Sequence, residues 1–122
     1  MPDEIKAAAW DESYARGENC LFYPNEEIIR FFARYVAKRT GPASISYAAG
    51  FGPSTRVLDF GCGIGRHVKY ALELGLDAHG VDLSQEAISM GQAWFSQTGL
   101  SGADRRLQCG DGRCLPFSEK SF

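Results

Sequence analysis

The stretch Arg56-Val57-Leu58-Asp59-Phe60-Gly61-Cys62-Gly63-Ile64-Gly65-Arg66-His67 decides the fold. Val57, Leu58 and Phe60 suit a buried strand of a parallel sheet. The three glycines after them let the backbone turn sharply and come close to a ligand with no Cβ in the way. Val68, Ala71 and Leu72 then recur at helical spacing as far as Gly75, a helix stop. The glycines therefore lie between the carboxyl end of a strand and the amino end of a helix, the junction at which open α/β sheets bind ligands.

Outward from this turn the pattern alternates. Residues 56–60, 78–82 and 105–109 read as strands, and residues 66–74 and 85–97 as helices, the second capped by Ser84 with Ala87, Ile88, Gly91 and Phe95 on its inner face. Strands alternating with helices predict an α/β fold, a Rossmann-like parallel sheet of three strands in the order 3-2-1. Upstream, Pro2 to Arg16 reads as a helix with Ile5, Ala9 and Trp10 on one side and Gly17 as its stop. A second helix opens at Pro24-Asn25-Glu26-Glu27, carries the stripe Ile28, Ile29, Phe32 and Val36, and ends with Lys38-Arg39 before Gly41-Pro42. Residues 40–54, rich in Gly, Pro, Ser and Ala, read as a connector. The chain thus divides into an amino-terminal helical cap with connector, 1–54, and a ligand-binding unit, 55–122.

The strand Ala78-His79-Gly80-Val81-Asp82 ends in a carboxylate 21 residues beyond Gly61, the separation that a crossover helix and a returning strand require. At that place an acid accepts hydrogen bonds from the two hydroxyls of a ribose, and Leu83 offers an apolar platform for adenine. The ribose contact alone does not separate a nicotinamide or flavin dinucleotide from any other ligand that carries an adenosine. Dinucleotide sites prefer Gly-x-Gly-x-x-Gly, and the position of their third glycine holds Arg66, whose bulk opposes close packing of helix on strand.

Asp59 with Gly61, Gly63 and Gly65 resembles the first motif of the class I S-adenosylmethionine-dependent methyltransferases, an acidic residue followed by Gly-x-Gly-x-Gly after a strand. The segment Asp111-Gly112-Arg113-Cys114-Leu115-Pro116-Phe117, with Ser121-Phe122 after it, is similar to the same family, in which an Asp after the third strand precedes a Leu-Pro-Phe box. The resemblance implies S-adenosylmethionine as cofactor and S-adenosylhomocysteine as product. It also implies that the loop cradles the methionine moiety with Cys62 as a small loop residue, that Asp59 orients the ammonium, and that Asp111, with the Gly112 backbone nearby, receives the adenine amino group. Trp10-Asp11-Glu12-Ser13-Tyr14 and Leu21-Phe22-Tyr23-Pro24 resemble the leading segment of small-molecule methyltransferases, in which Trp10, Tyr14 and Tyr23 would line the acceptor pocket. Methyl transfer from a sulfonium needs mainly binding and alignment of the nucleophile, and no general base is assignable from the sequence. A dinucleotide-dependent oxidoreductase and a domain that binds the cofactor without catalysis are the competing readings.

The chain has 122 residues, 13 basic against 15 acidic, and a net charge of −2. Its basic residues are scattered, so no footprint for nucleic acid is expected. No apolar run reaches the roughly 18 residues of a membrane span, and the acidic start Met1-Pro2-Asp3-Glu4 is unlike a secretory signal, which points to the cytoplasm. Cys20, Cys62, Cys109 and Cys114 form no metal-ligand spacing, so reduced thiols and no metal are expected. In the family the sheet has seven strands, and this sequence reaches only the start of the fourth. The expectation is therefore an incomplete domain, inactive alone, whose first strand has an edge left for an oligomeric partner or a further segment to cover.

Overall fold

A computed structural model describes residues 3–100, 102–111 and 122. The expected backbone contact at Gly112 and the Leu115-Pro116-Phe117 segment lie outside the described residues.

The elements run α1 (Asp3–Ala15), α2 (Glu26–Tyr35), β1 (Ala37–Gly41), β2 (Ser44–Tyr47), β3 (Arg56–Phe60), α3 (Arg66–Glu73), β4 (Asp77–Asp82), α4 (Gln85–Gln97), α5 (Ala103–Arg106) and β5 (Leu107–Cys109). The fold is α/β, with a parallel three-stranded sheet in the order β3-β4-β5, as the alternating pattern predicts. Register is set by Arg56 opposite Asp77 through Phe60 opposite Val81, and by Gly80 opposite Leu107 through Asp82 opposite Cys109. All three strands therefore end together beside the glycine loop, whose Gly61 and Cys62 amides donate to the Val81 carbonyl at 2.8 and 3.1 Å.

The core lies between the sheet and helices α3 and α4, where Phe95, Ile88, Leu107, Val68 and Val81 are fully buried. Each such side chain contributes roughly 1.5–3 kcal/mol by leaving water. The expected inner face of α4, Ala87, Ile88, Gly91 and Phe95, is the buried one. Gly91 is there for close approach: a Cβ on it would strike the Ile64 carbonyl, so the missing side chain brings α4 against the backbone of the glycine loop. Ser84 caps α4 by accepting from the Ala87 amide at 3.1 Å, and Asn25 caps α2 by accepting from the Glu27 amide at 2.8 Å. Caps of this kind are worth about 1 kcal/mol each.

Four local expectations are corrected. The second helix stops at Tyr35, and Lys38-Arg39 belongs to a strand. Ala37–Gly41 and Ser44–Tyr47 form an antiparallel hairpin where a connector was expected. The hairpin finishes α3: the Tyr47 hydroxyl donates to the Leu74 carbonyl at 2.9 Å and Arg39 donates to the Glu73 carbonyl at 3.2 Å, serving carbonyls that a helix end leaves without partners. Residues 105 and 106 lie in the single turn of α5, so the third parallel strand begins at Leu107. Finally, α1 does not bury Ile5, Ala9 and Trp10: Ile5 and Trp10 are about half exposed, and the side turned inward carries Ser13 and Tyr14. Tyr14 packs with Ile64 and Ala87 in a small satellite core.

Candidate functional site

The glycine loop is left-handed at each of its glycines, with φ of 68° at Gly61, 59° at Gly63 and 91° at Gly65. Gly63 shows why. A side chain there would strain the backbone and its Cβ would lie 2.6 Å from the Tyr14 hydroxyl oxygen, so the loop passes directly beneath α1. Asp82, at the end of β4, pins the turn: its Oδ2 accepts from the Gly63 amide at 2.8 Å and its Oδ1 from the Ser84 amide at 2.9 Å.

Two cavities share Gly61, Trp10 and Tyr14 in their linings. One, about 230 Å³, is lined by Asp59, Cys62, Gly63 and His67 on the sheet side and by Trp10, Tyr14 and Leu21 opposite. The other, about 190 Å³, is lined by Trp10, Tyr14, Gly61, Asp82 and Leu83. The structure thus gathers Asp59, Gly61, Cys62, Gly63, Asp82 and Leu83 around adjoining spaces under α1. Gly65 is the N-cap of α3. Asp111 lines neither of these two cavities, but it lies at the same end of the sheet, since the neighbouring Gly110 amide donates to the Asp82 carbonyl at 2.9 Å. Of the three aromatic residues expected at an acceptor pocket, Trp10 and Tyr14 line both cavities, and Tyr23, 82% exposed, lines neither.

Burial is the main electrostatic influence here. It pushes the Asp59 carboxyl up to about 6, with repulsion from Asp82 adding to the effect and Arg66 opposing it. Burial also lifts the Tyr14 phenol to about 12, again reinforced by Asp82. The Cys62 thiol is driven up by burial and then by Asp59 and Asp82, which makes it a poor nucleophile and agrees with a small loop residue. His67 is pushed down by burial and by Arg66, so its ring is neutral near pH 7.

Two residues escaped the sequence reading. Asp11 of α1 accepts from the Ser84 hydroxyl at 2.5 Å and from the Glu86 amide at 3.0 Å. This ties α1 to the amino end of α4; no periodicity marks an acid turned inward from so polar a helix. His67 accepts from the Asn25 amide at 3.1 Å through Nε2, and its Nδ1 lies 4.0 Å from Asp59 Oδ2. Its position in the first turn after the loop was visible, its partners were not.

No helix among the described residues is long and apolar enough to cross a membrane.

Residues 57–122 match a family model described as methyltransferase domain. An uncharacterized protein of Mycobacterium tuberculosis is 33% identical over 120 residues, 98% of this chain and 39% of that protein. Sterol methyltransferase-like 2 of Botryococcus braunii is 28% identical over 116 residues, 94% of this chain and 27% of its own length. The chain therefore spans less than half the length of these curated relatives. Among solved structures, the [4+2]-cyclase SpnF superposes with a TM-score of 0.59 at 16% identity, over 96% of this chain and 45% of that one. The MccD protein superposes at 0.56 and 18% identity, over 84% of this chain and 40% of that one.

Proposed function

The chain belongs to the methyltransferase-domain family, and from that premise we propose that it supplies the S-adenosylmethionine-binding half of a cytosolic enzyme that methylates a small molecule. The observation that carries this reading is the pair of carboxylates, Asp59 and Asp82, at the ends of adjacent strands around a glycine loop that lines two cavities. A cofactor with a cationic amino-acid end and a ribose at the other suits such a site. Asp59, buried enough to hold its carboxyl near 6, gains from a cation. Gly61, where a Cβ would meet nothing within 4 Å, leaves its backbone open to a ligand.

When bound, the cofactor supplies a methyl group on a sulfonium, already activated for transfer. The residues of this chain do the holding. Asp59 faces the ammonium from the larger cavity, with Gly61, Cys62 and Gly63 as its floor. Asp82 would take the ribose hydroxyls from the smaller one, Leu83 would pack on the adenine, and Asp111 would meet its amino group. Trp10 and Tyr14 of α1 would lie against the bound cofactor, since both line each cavity. Leu21 and Trp10 give the acceptor an apolar approach to the larger cavity. No side chain here is assigned as general base.

Fold alone does not decide the chemistry, since one of the superposing structures is a cyclase; the methyltransferase reading rests on the domain family together with the two acids. Calorimetry separates the candidates. Binding of S-adenosylhomocysteine, with no response to NAD, supports the proposal; binding of NAD with no response to S-adenosylhomocysteine overturns it. Methyl transfer to a panel of metabolites by the full-length enzyme, compared with the same protein carrying Asp59→Ala, distinguishes catalysis from binding alone.

A further inference from the structure

The amino-acid end of the cofactor carries a carboxylate as well as an ammonium, and Asp59 answers only the ammonium. Successive backbone amides in a turn are a common way to bind an anion, but in this loop they are engaged within the protein. The Gly61 and Cys62 amides donate to the Val81 carbonyl at 2.8 and 3.1 Å, and the Gly65 amide donates to the Cys62 carbonyl at 3.0 Å. The Gly63 amide donates to Asp82 Oδ2 at 2.8 Å. On the wall of the larger cavity, Asn19 already donates through Nδ2 to the Ser13 hydroxyl at 2.9 Å. His67 is neutral and accepts from the Asn25 amide. Among the described residues, the cation in that wall is Arg66.

Arg66 opens α3 directly after the loop. Its Nη1 donates to the Tyr23 carbonyl at 3.1 Å, and it forms no ion pair with any acid among the described residues. It also borders a neighbouring groove lined by Phe22, Lys69 and Trp94. Its charge is nevertheless felt inside the larger cavity, where it favours ionisation of Asp59 and of Tyr14 and disfavours protonation of His67. A guanidinium has five N–H donors in a planar fork, so the bond to Tyr23 fixes one arm and leaves donors for a second partner.

We propose that Arg66 holds the carboxylate of the cofactor's amino-acid end, so that the larger cavity meets both charges of a zwitterion, with Asp59 for the ammonium and Arg66 for the carboxylate. The inference rests on the reading of this cavity as the seat of the methionine moiety. A guanidinium matches a carboxylate with two parallel hydrogen bonds, which a lysine ammonium does not reproduce. The place where a dinucleotide fingerprint has its third glycine thus carries the residue that grips the other cofactor.

Because Arg66 also favours ionisation of Asp59, its removal could weaken binding through the acid alone, and the test has to separate the two routes. Calorimetry compares S-adenosylhomocysteine with its decarboxylated analogue, which keeps the ammonium and lacks the carboxylate. The proteins are the parent chain, Arg66→Gln and Arg66→Lys. Arg66→Gln should lose about 10–100-fold in affinity for S-adenosylhomocysteine, the range of a hydrogen bond between charged groups. Arg66→Lys, which keeps the charge without the fork, should lose less. Both variants should bind the decarboxylated analogue as the parent does, which also shows that they are folded. Equal loss toward both ligands would mean that Arg66 acts through Asp59 or through the fold, and overturns the proposal. Unchanged affinity for S-adenosylhomocysteine in Arg66→Gln overturns it as well. In both of these cases the parent still binds and the cofactor reading stands. A parent chain that binds neither ligand removes the cofactor reading and this proposal together.

Discussion

Replacing Gly63 by alanine tests whether α1 really sits on the glycine loop. The new residue keeps a φ of 59°, a conformation that costs an L-residue about 1–2 kcal/mol. Its Cβ also lies 2.6 Å from the Tyr14 hydroxyl oxygen, and overpacking of that kind adds about 1–3 kcal/mol. The expected loss is therefore about 2–5 kcal/mol in all. Gly61→Ala is the internal control: φ there is 68°, yet no atom lies within 4 Å of the added Cβ, so only the backbone strain remains. Removing the hydroxyl should relieve the clash, because the next atoms, Tyr14 Cζ at 3.6 Å and Cε1 at 3.9 Å, are ordinary contacts. Tyr14→Phe combined with Gly63→Ala should thus recover about 1–3 kcal/mol relative to additivity, within the range of directly touching pairs. Urea denaturation of the four variants supplies the cycle. If Gly63→Ala is no worse than Gly61→Ala, or if Tyr14→Phe restores nothing, α1 does not cover the loop.

Asp59→Asn should stabilise the chain while abolishing binding of S-adenosylhomocysteine. The folded carboxyl titrates at about 6 against an ordinary value of 3.8, so the folded state holds the proton more tightly and stability declines as pH rises through that window, then stays level. Discounted for partial exposure, the gain at pH 7.5 is on the order of 1–2 kcal/mol, read from urea midpoints; a loss would mean that the carboxylate is satisfied as it stands. In the parent chain, affinity for S-adenosylhomocysteine should fall as pH drops through about 6. Asp11→Ala removes the acceptor of both the Ser84 hydroxyl and the Glu86 amide. It should cost about 1–3 kcal/mol and speed amide exchange in α1, and unchanged protection there would refute the latch. Tyr47→Phe removes the hydroxyl that reaches the Leu74 carbonyl and should cost about 0.5–1.5 kcal/mol by thermal denaturation, with no change in cofactor affinity.

The strand, glycine loop and helix were legible because each is specified locally: apolar strand residues, left-handed turns and a helical stripe all act within a few residues. The hairpin was not. Its second strand, Ser44-Ile45-Ser46-Tyr47, does alternate, with Ile45 and Tyr47 the inner residues, but the first, Ala-Lys-Arg-Thr-Gly, has no apolar period. Its stability comes from pairing and from serving the end of α3, contacts with residues about thirty positions away. α1 misled for a related reason. Its hydrophobic residues suggested a buried side, yet what fixes it is an acid on the amino end of α4 and a tyrosine over the loop. Of the candidate site, the acids at strand ends were readable from position. The partners of Asp11 and the contact of His67 with the Asn25 amide depend on groups brought together only by folding.

Asp82 shows how the two levels meet. The sequence marks it as a ribose acceptor, but its oxygens already accept one backbone amide each, from Gly63 and Ser84. A carboxylate has about four lone-pair sites, so one on each oxygen remains for a pair of hydroxyls. An asparagine has a single acceptor oxygen, and its amide nitrogen cannot receive a backbone N–H; it would have to release either the glycine loop or the start of α4. The shape of the loop thus depends on this one side chain, which on the proposed reading would also grip the ribose. An acid suits the place even before a ligand arrives, because a carboxylate can accept the Gly63 and Ser84 amides on separate oxygens and still keep a lone pair on each.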